Sequence, residues 1–145
     1  MPSDESLRHQ IALGWVIELL LVVLMLVVMI VDSVLMDNNF FSLRMDPGGS
    51  LSGWMVFLLG GYALMPVYVH LVHPLAWRGG RWLAVALSAA GFLFFLLHHL
   101  AHWQAGQRPT LSSHALDLTL HLVSIWVLAT SIRWARRPAA PEGTA

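Results

Sequence analysis

The chain has 145 residues, 57% of them hydrophobic and 11% charged, where a soluble domain carries about 25% charged residues; an ordinary water-soluble fold is excluded. Eight basic and eight acidic residues cancel, so charge gives no reason to expect a nucleic-acid partner. With no cysteine, disulfides, thiolate metal sites and thiol redox chemistry are excluded too.

Residues 1–10 read as a short cytoplasmic segment. Four apolar runs follow, at about 11–36, 51–73, 82–103 and 113–134. Each is long enough to cross a bilayer as a helix, which takes about 20 residues. Helices are the expected form, because lipid satisfies no backbone groups and these runs lack the alternation of a barrel strand. Residues 135–145, ending PAAPEGTA, read as a disordered cytoplasmic tail. The fold class expected is all-α integral membrane: a four-helix transmembrane bundle, up-down-up-down, with residues 11–134 as its single domain.

Orientation comes from arginine. Arg8, Arg78, Arg81, Arg133, Arg136 and Arg137 flank one side, and Arg44 and Arg108 the other. Positive residues stay inside, so both termini are expected in the cytoplasm. Trp15, Trp54, Trp77, Trp82, Trp103 and Trp134 fall near the expected interfaces, and Trp126 in mid-span. The first run is too long for a signal-peptide core and lacks a cleavage site after it. Gly53, Gly60, Gly61, Gly91, Ala84 and Ser88 offer surfaces for close helix contact, and Pro66 is expected to kink the second span.

Ionisable groups within a membrane are costly and ask for a reason. The stretch LFFLLHHLAHW, 93–103, brings His98, His99 and His102 to the outer end of the third span. SSHALDLTLH, 112–121, brings His114, Asp117 and His121 to the outer start of the fourth. At 100° per residue, His98 and His102 share one helix face, and His114, Asp117 and His121 another. His99 points about 100° from His98 and is expected to meet headgroups and water. On the first span Met25, Met29, Asp32 and Met36 form one stripe, which Glu18 extends inward.

Imidazole suits zinc, copper, iron and nickel, and thioether sulfur favours Cu(I). The pattern therefore predicts a transition-metal site near the periplasmic face, copper first, then zinc or iron, for metal handling or redox chemistry. Its ligands are expected among His98, His102, His114, Asp117, His121 and Asp32, with Asp117 orienting His121. Catalytic residues, and whether there is a reaction, are not given by the sequence.

Two other readings use the same residues. Haem b in an electron-transfer subunit needs two facing histidines at one depth, and His98 or His102 against His114 or His121 would supply them. An accessory subunit of a larger membrane complex would use the polar groups for protons or a quinone. Glu18 and His70 form a candidate proton relay on the inner side; His73 and His9 are expected at headgroups or in water. The lipid bilayer is the expected partner, with partner subunits or a homo-oligomer beside it. The expected location is the inner (plasma) membrane.

Overall fold

A computed structural model describes residues 3–35, 60–61, 64–69, 78–104 and 111–138, leaving aside the side chains at 29–30, 32–35, 98 and 101–102. The described chain is helical with no strand. Helix α1 spans Asp4–Leu35, α2 is the helical stretch 64–69, α3 spans Arg78–Gln104 and α4 spans Leu111–Ala135. α1, α3 and α4 each contain a stretch long and apolar enough to cross a membrane.

α1 starts earlier than its apolar run, and its first turn explains why. Ser3 accepts the amide of Ser6 on its hydroxyl at 3.1 Å, and Asp4 and Glu5 follow in the first turn. A capping hydroxyl and acidic residues both favour a helix N-terminus. Residues 4–10 thus belong to the membrane helix, and Leu7 and Arg8 are buried.

α4 is the middle of the assembly and packs on both α1 and α3. Pairs of residues give the direction. Asp4 meets Arg137, Gly14 lies against Val127, and Arg81 reaches the carbonyl of Trp134. His99 meets Asp117. α4 therefore runs antiparallel to both neighbours. The starts of α1 and α3 and the end of α4 share one end, the near end; His99 and Asp117 lie toward the far end.

The near end is tied by charge and by packing. Asp4 accepts from Arg81 at 2.9 Å through one carboxylate oxygen and from Arg137 at 3.0 Å through the other. Arg81 also lies 5.4 Å from the ring centre of Trp134. Below this clasp, Leu7, Ile11, Trp15, Val69, Ala84, Val127 and Trp134 form the main apolar core. Trp15 and Trp134, expected at an interface, are fully buried here. The early start of α1 carries Trp15 about 16 Å along the helix, well inside the packed region. Trp82 and Trp103, near the two ends of α3, stay exposed.

Outside and inside are inverted relative to a soluble protein. Leu13, Leu20, Leu24, Leu97, Leu118 and Leu122 are exposed, while Glu18, Ser88, Ser124, Thr130 and Ser131 are buried. Close packing through small polar residues is how helices associate in lipid. Ala84 and Ser88 do face α4, and the Ser88 and Ser131 hydroxyls lie 3.2 Å apart. Among the described residues, nothing stands within 4 Å of where a Cβ would sit at Gly60 or Gly61. At Gly14 a Cβ would collide with Val127. Gly53 lies outside the described residues.

Candidate metal centre

The α3 face that meets α4 is set by Ala84, Ser88 and Phe95, all buried. Continuing that line four residues past Phe95 reaches His99, one helical turn on. His99 therefore points into the interface and not at headgroups, against the expectation from its neighbour His98. Its Nδ1 stands 2.6 Å from Oδ2 of Asp117, across the two helices. That is ion-pair distance, with the charge complete when the ring is protonated.

Asp117 serves the cluster twice. Its backbone carbonyl accepts from Nδ1 of His121 at 2.8 Å, one turn along α4. A carbonyl oxygen only accepts, so Nδ1 of His121 carries a proton, and in the neutral ring Nε2 carries the lone pair. The Asp117 carboxylate stands 3.6 Å from the same Nδ1, beyond hydrogen-bond length. Orientation of His121 by Asp117 is thus made by the main chain, and the carboxylate goes to His99.

The three rings crowd together. The centroid of His99 is 5.8 Å from that of His121 and 6.5 Å from that of His114. Phe92 and Trp103 set edges against His121 and His99, each at 6.2 Å between centroids. His114 is exposed at the far end. Nε2 of His121 is buried with no hydrogen-bond partner, an unsatisfied position that calls for an explanation.

The other expected residues divide into two groups. Backbone positions 98, 102 and 32 lie in α3 and α1, but their side chains are outside the described set, as are Met29, Met36 and His70. Met25 is half-buried on α1. The α1–α4 pairs above place it level with Asp117. Glu18 is 4% exposed and faces α4 deeper in the membrane. Among the described residues no three His, Asp or Glu side chains stand ready in metal-binding geometry.

Comparison with protein-family models, characterised proteins and solved structures finds no match to this chain. The functional reading accordingly rests on residues and geometry.

His99 was missed because the sequence argument grouped histidines by their spacing to one another. The signal that finds it is the packing face: Ala84, Ser88 and Phe95 fix the side that meets α4. A second signal lay in α4 itself, where Ser113, Asp117, Ser124 and Ser131 recur at intervals of four and seven and mark one interior face.

Proposed function

We propose that this is an integral membrane protein that binds a transition-metal ion between α3 and α4, with the imidazoles of His99 and His121 as its first two donors. The observation that carries the reading is the pair of contacts made by the two Nδ1 atoms. Nδ1 of His99 lies against a carboxylate and Nδ1 of His121 against a carbonyl; in the neutral rings, Nε2 of each is then the lone-pair atom. Metal-binding histidines are commonly oriented in this way, by a hydrogen bond from the other ring nitrogen. Two imidazoles on one ion, each bonded at about 2.0 Å, keep their ring centres about 5–6 Å apart; these two are 5.8 Å apart.

His114, His102 and His98 are the candidates for the remaining positions, and Asp117 is an orienting group in this reading. Copper is the first choice. Two imidazoles suit it, and Met25 offers a thioether on α1 at the same level. An ion is preferred to haem b because the 2.6 Å contact between His99 and Asp117 holds α3 directly on α4, whereas a macrocycle between two ligating histidines needs their helices apart.

The arginine distribution supports an up-down-up-down bundle of four spans with both termini in the cytoplasm. The far end, and the site with it, then face the periplasm or exterior of an inner-membrane protein. The site lies about 9 Å in from the start of α4, close enough to the surface for an ion to enter.

The test is metal analysis and an absorption spectrum on detergent-purified protein carrying no histidine tag. Copper, zinc or iron near one equivalent, without a Soret band, is the expected result. A Soret band would replace the ion by haem, and protein free of both after metal addition would overturn the reading.

A further inference from the structure

Glu18 is a carboxyl in mid-membrane that the metal reading does not use. It sits about 21 Å from the start of α1 and is 4% exposed. Arg8 is ten residues nearer the terminus, about 15 Å along the same helix. Among the described residues no ion pair involves Glu18. What faces it on α4 is the hydroxyl of Ser124, itself 1% exposed. Ser124 Oγ is buried and meets no hydrogen-bond partner in good geometry among the described residues. One turn outward on α4 stands His121. On α2 the nearest titratable group is Tyr68, whose hydroxyl donates to Gly80 at 2.7 Å. On α3, Ser88 is taken up by Ala84 and Ser131.

An ionisable residue inside a membrane is expensive and marks function by default. Packing alone does not account for this one. A hydroxyl or amide would satisfy Ser124 at lower cost, and two apolar side chains would need no partner at all. A carboxyl without a cation changes its charge by one means, exchange of a proton, and for that it needs a route. α4 offers one. Ser113, Asp117, Ser124 and Ser131 fall within about 40° of one another around the helix, and this seam passes Glu18 on its way to the far end.

We propose that Glu18 is a proton-exchanging carboxyl in the middle of the membrane, connected through Ser124 to the far end of the bundle. The O–H bond of the Glu18 carboxyl breaks as the proton passes to the Ser124 oxygen or to water bridging the two. Ser124 releases its own proton along the seam, and the reverse sequence restores Glu18. No electron moves, and a water bridging a carboxyl and a hydroxyl can carry the proton between them. The inference does not rest on a bound metal: Glu18 and Ser124 carry it, and Asp117 enters only as a polar group farther out on the seam.

The experiment is infrared difference spectroscopy on the full-length, metal-free protein in lipid, with bulk pH swept and H2O then replaced by D2O. The expected result is a carboxylic-acid C=O band that disappears as pH rises, shifts in D2O and is absent from Glu18→Gln. Ser124→Ala is expected to slow the D2O shift by roughly tenfold or more. Glu18→Asp, which keeps the carboxyl, moves the band and identifies it even where Glu18→Gln folds poorly. A spectrum with no titrating band attributable to residue 18 overturns the proposal, and so does exchange in Ser124→Ala at the unaltered rate. Metal content, measured separately, reports on the outer site and leaves this result untouched.

Discussion

Nδ1 of His99 lies 2.6 Å from Oδ2 of Asp117, and this one contact joins the last turns of α3 to the second turn of α4. Removing either partner has unequal effects. Asp117→Asn keeps the shape and an acceptor but loses the charge that holds the ring. It is expected to lower metal affinity by about 10–100-fold, the usual cost of losing an orienting carboxylate. His99→Ala removes a donor atom outright and should cost more. His9→Ala, on an exposed ring bonded to the carbonyl of Glu5, should leave binding unchanged. Competition titration with a chelator of known affinity ranks the three. Equal affinities for wild type and His99→Ala would remove His99 from the site.

Asp4 holds Arg81 and Arg137 together through its two carboxylate oxygens. Asp4→Ala leaves Arg81, itself buried, without its acid. A lost hydrogen bond to a charged group costs about 1.5–3 kcal/mol, and the expected loss of stability lies in that range. Glu5→Ala, exposed in the same helical turn, is expected to stay within about 0.5 kcal/mol of wild type. Thermal unfolding in detergent compares the two. Equal melting of Asp4→Ala and Glu5→Ala would mean that the clasp contributes nothing.

Gly14 is a point of close approach between α1 and α4. A Cβ there meets Val127 first and Trp126 next, at 3.1 Å from the latter. Gly14→Ala gains helix propensity yet forces the helices apart, and overpacking of this kind costs about 1–3 kcal/mol. Val127→Ala in the same molecule makes room. The double variant should therefore recover part of the loss, giving a coupling of about 0.5 kcal/mol or more between contacting residues. Additive losses in a double-mutant cycle would show that the two positions do not touch.

The sequence makes the membrane class and the long helices legible because lipid imposes a coarse demand: about 20 apolar residues per span. Glu18 on an interior face was legible for the same reason, since it shares a stripe with Met25. What the sequence hides is which side of each helix meets which neighbour. Spacing alone pairs His98 with His102, but Ala84, Ser88 and Phe95 decide where α3 touches α4, and they turn His99 inward. Trp15 and Trp134 mislead in the same way. An indole suits an interface, yet here the early cap at Ser3 and the clasp at Asp4 draw both rings into the core. Gly14 gave no sign within a run of large apolar residues, because its importance lies in Val127 on another helix.

The same helix phase makes a prediction about the two neighbouring histidines. Ala84, Ser88, Phe95 and His99 define the line on α3 that faces α4. Counting 100° per residue, position 102 falls about 30° from the middle of that line and position 98 about 70°. An ion bound at His99 and His121 is thus within easier reach of residue 102. His102→Ala is expected to weaken metal binding by about tenfold, with His98→Ala close to wild type, by the same chelator competition. The reverse order would place the third donor on the opposite flank of α3. A double variant lacking both, yet binding as wild type does, would leave His114 and the α1 methionines as the remaining sources of donors.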